Sequence, residues 1–292
     1  MIRILRLAAF AAPMFLAACG NLQALKVAAA HPSVVGQPVT ISETRPTKEE
    51  VAPRAYEVPG KSLYVSQTSG GSLAVGLLLG PLGVLANGAN IDRITNETGR
   101  SGLQSSLYQI DAKAESTAAI GEAVSRLPRP TGVAGVTLKP YVIYSVASEK
   151  EGIDVVVKIR AESIVVIAGK TTPWVGNYAL YLRDVLPYST LSTPMAAEAD
   201  AKFRADIRSA YVELFGEITK DLTPGPLPKR DIAWVKSRVL GIGMPGDIER
   251  NRQGHLVLRN GWGDNGTIFN AVVFQDDQQF SFDNGPVARQ AN

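Results

Sequence analysis

The stretch GIDVVVKIRAESIVVIA, residues 152 to 168, constrains the fold more than any other part of the chain. Ile153, Val155, Val157, Ile159 and Ala161 alternate with Asp154, Val156, Lys158, Arg160 and Glu162. A period of two places the first set on one face of a strand and the second on the other, so the spacing predicts a long strand with one buried and one mostly wet face. The flanking stretches VTLKPYVIYSV (136 to 146) and WVGNYALYLRDVL (174 to 186) are equally rich in β-branched and aromatic residues. The turn sequences EKEG and AGKTTP between them predict an antiparallel meander.

Such a sheet needs helices to cover it, and two periodic segments supply them. From Ser101, the residues Leu103, Leu107, Ile110, Ala114, Thr117, Gly121 and Val124 recur at three and four, stopping before Pro128 and Pro130. After the meander, Thr193 and Pro194 offer an N-cap and a first-turn proline, with Glu198 and Asp200 near the positive end of the helix dipole. Phe203, Ile207, Tyr211, Leu214, Ile218 and Leu222 form the apolar seam of that helix, and PGPLP (224 to 228) ends it. Beyond it, AWVKSRVLG, GHLVLRNGW and TIFNAVVFQDDQQFSFD read as short strands with turn dipeptides at Asn260-Gly261, Asn265-Gly266 and Asn284-Gly285. The expected fold class is α+β: an antiparallel sheet packed by two helices over residues 61 to 228. A small all-β module at 229 to 285 and a tail at 286 to 292 follow.

Two segments depart from this pattern. Residues 19 to 60 carry prolines at 32, 38, 46, 53 and 59 and read as a tether, with a reach on the order of 100 Å at ~3.1 Å per residue. Val34, Val35, Val39 and Ile41 offer an edge strand as the other use of that stretch. After the short strand KSLYVSQTSGG comes SLAVGLLLGPLGVLANGAN, and no charge falls between Ser62 and Ile91. Within residues 70 to 90, Gly76, Leu78, Gly80 and Gly83 are candidates for a membrane or oligomer contact, since Gly76 and Gly80 have the spacing of close helix contacts. Pro81 interrupts any helix there, and the apolar run is shorter than the ~20 residues a spanning helix needs, so a buried hairpin, a lipid-interface contact and a membrane-inserted oligomer element all remain open.

The N-terminus carries the most specific signal. Arg3 and Arg6 form a positive n-region, Leu7 to Phe15 an uncharged apolar core, and Leu16, Ala17 and Ala18 a small-residue cleavage region, so residues 1 to 18 read as a signal peptide. Cys19, the single cysteine of the chain, follows directly. Leu16-Ala17-Ala18-Cys19 resembles the lipobox of bacterial lipoproteins. The resemblance implies cleavage before Cys19, a diacylglycerol thioether on its sulfur, and acylation of the new amino terminus, palmitate being the usual label. That number of acyl chains exceeds what stable anchoring needs. Gly20 and Asn21 stand where the enteric inner-membrane retention signal has aspartate, which implies the outer membrane, facing the periplasm. In element order the chain is also similar, in general outline, to the periplasmic domains of curli-secretion-type envelope lipoproteins, a likeness of layout that shares no motif.

The remaining chemistry is defined mostly by exclusion. One cysteine leaves no disulfide framework or cysteine-based metal site. Loss of Arg3 and Arg6 lowers the formal charge from +3 to +1, and no basic run exceeds Lys229-Arg230, so nothing resembles a nucleic-acid footprint. GIGMPG satisfies G-x-G-x-x-G at Gly241, Gly243 and Gly246, but DIERNRQG leaves no room for the long helix that a dinucleotide site opens with. The two histidines are His31, in the tether, and His255, which reads as a surface residue and could pair with Asp264. Asp276 and Asp277 point to opposite sides of a strand and read as turn acids. Trp174, Trp234 and Trp262 read as packing aromatics, with glycan or partner docking as the other use.

These readings converge on a non-enzymatic, outer-membrane-anchored lipoprotein without cofactor or metal. It would act on envelope proteins as an interaction or assembly factor in biogenesis, secretion or surface-structure attachment, and as a possible homo-oligomer. A lipid-anchored envelope hydrolase using carboxylates in a cleft, and an oligomeric membrane-inserting lipoprotein using residues 70 to 90, are the alternatives. The anchor is directly testable: Cys19→Ser is expected to abolish palmitate labelling and leave an unprocessed or soluble species. Continued fractionation of that variant with outer membranes and continued labelling would contradict the lipobox reading.

Overall fold

The computed structural model describes residues 34–51, 55–67, 95–96, 99–100, 105–127, 135–148, 152–167, 169–224, 231–237, 239, 242–262, 266–283 and 287–288. The expected meander is its centre: β4 (Val136–Ser148), β5 (Gly152–Ile167) and β6 (Lys170–Tyr181) pair antiparallel, with Val157 opposite Val142 on one side and Leu180 on the other. Ile153, Val155, Val157, Ile159 and Ala161 are fully buried on the first face, as their alternation requires.

The sheet reaches further than the meander on both sides. On one, β4 receives two parallel strands along the same edge: β1 (Val39–Ile41) beside Val136 to Leu138 and β3 (Leu63–Gln67) beside Val142 to Val146. A short β2 (Tyr56–Glu57) adds to β3. On the other, β10 (Gly266–Phe274) lies parallel to β6 and brings with it β9 (Leu256–Trp262), β8 (Ile242–Arg250), β7 (Asp231–Ser237) and β11 (Phe280–Phe282). With β12 (Val287–Ala288) on β7, the described residues form one mixed, mostly antiparallel sheet of twelve strands, and the strands expected at 229 to 285 continue it.

A twisted path of this length curls. That curl overturns the expectation of a wet second face on β5. Val156, Ala179 and Tyr181 are buried there in a cluster with Ala233, Val235, Ile248, Leu258, Val272 and Phe274. Tyr181 stacks on Phe274 at 5.8 Å, and Phe280 tilts against Phe274 at 5.5 Å. The Gln279 side chain, which donates to the Leu182 carbonyl at 2.7 Å, fastens the far strands across the gap. Asn260 and Gly261 lie inside β9, so that dipeptide is not a turn. Gly266 opens β10, whereas Asn265 and the Asn284-Gly285 pair lie outside the described residues.

Helix α3 (Ala197–Leu222) crosses the first face, and all six residues of its expected seam are buried. It begins at Ala197 with Ala196 as N-cap, not at Pro194 with Thr193 as N-cap; Thr193 N–H instead closes the preceding turn on the Ser189 carbonyl at 2.8 Å. Helix α2 (Ala112–Ser125) also starts later than its pattern suggests. Ser105 caps a short 3-10 turn at 106 to 109, Ile110 is extended, and the Asp111 carboxylate then accepts from Ala114 N–H at 3.1 Å. The phase shifts with the start: Ala112, Glu115, Ser116 and Ile120 face inward, while Ala114 and Thr117, expected in the stripe, are exposed.

The described part of the presumed tether is built into the domain. Val34, Val39 and Val58 are buried, Gly36 N–H caps the last carbonyl of α3, Leu222, at 2.8 Å, and the Tyr64 hydroxyl donates to the Pro46 carbonyl at 2.6 Å. Proline suits these places because Pro38 precedes the edge strand β1 and Pro46 precedes a one-turn helix, α1 (Lys48–Val51), so no ladder donor is lost. No helix among the described residues is long and apolar enough to cross a membrane.

Lys158 gives the second face a pH signature. It lies opposite Tyr141 in the β4–β5 ladder with Nζ 5.4 Å from the ring centroid, and desolvation pushes it down from 10.5 to about 8. Between those values the unfolded chain holds a proton the folded chain does not, so stability rises with pH. Urea unfolding from pH ~7.5 to ~9.5 is expected to show the parent gaining on Lys158→Met as pH increases; a constant difference across that range would contradict the assignment.

Candidate functional site

Two features stand out on the described surface and interior: a neutral groove and a buried ionic cluster. The groove, of about 370 Å³, lies between β1 and α2. Val39, Thr40 and Ile41 form its strand side and Thr117, Gly121, Val124 and Leu127 its helix side. Residues 117, 121 and 124 share a helix face by their spacing, and Val124 and Leu127 at its end also pack on the core. Gly121 keeps the groove open, because a methyl group placed there would meet only the Thr117 methyl, at 3.3 Å. The groove's two charged residues, Lys113 and Glu43, form an ion pair at its mouth.

The ionic cluster follows from two registers. Glu213, Glu217 and Asp221 recur at every fourth residue and make a row along α3. His255, Val257 and Arg259 alternate on the face of β9 and its approach that is turned to this helix. Arg259, with a side chain only 2 % exposed, donates from Nη2 to Glu217 Oε2 at 2.5 Å and from Nη1 to Asp221 Oδ1 at 2.6 Å. Nη1 also reaches the Asn270 carbonyl at 3.1 Å, and Nε reaches Glu249 Oε1 at 3.3 Å. Burial alone would push the guanidinium down, but Asp221, Glu217 and Glu249 hold it above its ordinary value. The Tyr178 hydroxyl donates to Asp221 Oδ2 at 2.9 Å, and burial together with that carboxylate raises its pKa well above the usual 10.

One helical turn earlier, His255 Nδ1 donates to Glu213 Oε1 at 2.8 Å, and Asn251 reaches the same oxygen. His255 is thus paired with α3 through Nδ1, and Asp264 lies outside the described residues. A second cluster joins the helices: Arg204 and Arg208 hold the buried Glu115 at 2.9 and 2.6 Å. In each cluster the charged groups answer one another, so the chemistry they perform is to lock α3 to β9 and α2 to α3.

The remaining candidates fall into place around these. The segment containing Gly243 and Gly246 is the strand β8, so no helix opens at the last glycine. Gly246 instead lets β9 approach, since a methyl group there would lie 2.5 Å from the Arg259 carbonyl. Asp276 caps a short turn through Gln278 N–H at 2.9 Å, and Asp277 pairs with Arg250 at 2.8 Å. Trp174 packs on the core and Trp234 is 40 % exposed. Cys19, Gly76, Leu78, Gly80 and Gly83 lie outside the described residues. Among the described residues no group of three His, Cys, Asp or Glu side chains is arranged to hold a metal ion.

The sequence reading missed the groove and the Arg259 cluster. The acidic spacing 213, 217, 221 was the available signal for the cluster, and Gly121 on an otherwise regular helix was the one for the groove. Comparison with protein-family models, with curated proteins and with solved structures finds no match to the chain.

Removing the guanidinium leaves Glu217 and Asp221 buried without their cation. Arg259→Met is expected to cost about 3–5 kcal/mol of stability by urea unfolding. A loss below ~1 kcal/mol would show that the cluster does not hold α3 to the C-terminal strands.

Proposed function

We propose that this protein is an outer-membrane-anchored periplasmic lipoprotein that acts as an interaction or assembly factor in envelope biogenesis, secretion or surface-structure attachment. Its α+β domain supplies the interaction surface, and residues 229 to 285 serve as the β module of that domain. The observation that carries the reading is the contrast between the two features above. The convergent carboxylates are spent on the buried Arg259, whereas the open groove is neutral and lined mainly by apolar and small side chains. A groove of that character suits binding, and a hydrolase would need ionisable groups facing an accessible cleft. The lipobox at Leu16 to Cys19 supports the location and explains why a binding domain would be held at a membrane.

A photo-cross-linking phenylalanine analogue in place of Thr117, in the full chain expressed in its native envelope, tests the reading. A discrete adduct with another envelope protein is expected from that position and not from Val212, which is exposed on α3. Absence of any adduct at Thr117, or equal adducts at both positions, would contradict it.

A further inference from the structure

The far end of the meander projects beyond its neighbours. Pairing of β5 with β4 ends at Glu162, opposite Thr137, and pairing of β6 with β10 begins only at Tyr178, opposite Ala271. Among the described residues, segments 163–167 and 170–174 pair only with each other, as a two-stranded arm. Alternation gives this arm two unlike faces. On one, Val165 is buried and Trp174 packs on the core, which holds the arm in place. On the other, Ile164 is 51 % and Val166 63 % exposed, and Pro173, directly opposite Ile164, is exposed beside them. Apolar side chains gathered on one face of a projection mark a contact surface, as scattered ones do not. Lys170 is exposed at the end of the arm, and no ion pair among the described residues uses it.

The chain enters the domain at this same end. The hydroxyl of Ser163, the neighbour of Ile164, donates to Gln37 Oε1 at 2.7 Å. Gly36 N–H meets the Leu222 carbonyl at the end of α3, whose last turn lies over the base of the arm, with Asp221 accepting from Tyr178. Val34 is already buried, and fifteen positions separate it from Cys19. Even fully stretched, that length keeps the entry point within about 50 Å of the anchored residue.

We infer that the outward face of this arm rests on the lipid surface that carries the Cys19 anchor, with Ile164 and Val166 at the boundary of headgroups and acyl chains and Lys170 among anionic headgroups. The inference rests on the lipid-anchor reading of Leu16 to Cys19 and adds a lipid contact to the domain. Anchor chain and arm share one end, so the anchor concentrates that end at the bilayer. Aliphatic side chains with a lysine at the tip match the chemistry of interfacial elements. Pro173 removes a backbone donor from the free stretch of β6, which blunts it against a further strand. With five residues in each arm segment, the arm is shorter than the about 9–11 residues a membrane-spanning strand needs, so it reaches the interface and does not cross.

Val166→Cys in the full chain, purified with its anchor and labelled with an environment-sensitive nitrobenzoxadiazole probe, tests this. Cys19 is the single native cysteine and is acylated on the anchor reading, so the introduced thiol is the one that reacts. In vesicles of phosphatidylethanolamine with a minority of phosphatidylglycerol, the probe's emission is expected to shift to the blue and to be quenched by nitroxides placed near the headgroups. The same probe at Val212, exposed on α3, is expected to stay in water. Ile164→Ser is expected to lower the ratio of docked to free probe about tenfold, and Lys170→Gln about fivefold.

A water-like spectrum at Val166 in protein that floats with the vesicles would overturn the inference and leave the anchor standing. A blue shift that neither substitution changes would overturn it too. Quenching by nitroxides at the bilayer centre would replace surface contact by insertion and overturn it. A shift that persists in detergent without lipid and grows with protein concentration would assign the arm to a second copy and overturn it. Protein that carries no palmitate and does not float removes the anchor reading itself, and this inference with it, so the two failures are distinguishable.

Discussion

Arg259 is the residue on which the closure of this structure depends. The curled sheet brings β9 under α3, and a guanidinium at that point is nine-tenths or more removed from water. It is tolerable only because α3 presents Glu217 and Asp221 one turn apart and β8 presents Glu249 from the neighbouring strand. A buried ion pair of this kind adds little over a hydrophobic replacement of both partners, yet it penalises any arrangement that separates them. It therefore specifies which strand of the C-terminal half lies beneath which turn of the helix. The apolar residues Val257, Ala271 and Val273 would accept several registers against α3, and the charges accept one.

The same logic explains what could be read from the residues and what could not. The β4–β5–β6 meander and the seam of α3 were legible because periods of two and 3.6 persist there over many residues with only local partners. The position of α2 was not, because a buried Glu115 reads as a surface residue until Arg204 and Arg208 of another helix are brought to it. The parallel junction of β10 with β6 leaves no periodic trace, since its partners stand some ninety positions apart. The wet face expected for β5 failed for the same reason: Phe274 that helps cover it comes from β10 and Val235 from β7, both far away in the chain.

The candidate site divides in the same way. The lipobox is a contiguous local signal and needs no fold to be read. The β1–α2 groove exists only because Pro38 and the buried Val34 and Val39 draw the presumed tether onto β4, and because Gly121 then happens to face it. A glycine, two threonines and two valines, none of which marks a site in a sequence, make up half of its ten lining residues.

The buried charges of the described residues are paired with one another, and the described groove between β1 and α2 is neutral and lined mainly by apolar and small side chains. On the proposed reading, that groove holds another chain. The most direct measurement is hydrogen exchange over residues 34 to 51 in the full chain, compared between native envelope preparations and the purified protein. Protection of the β1 segment in the envelope that disappears on purification is the predicted result. Identical exchange in both settings would contradict the account, because the groove beside β1 would then have no partner where the protein works.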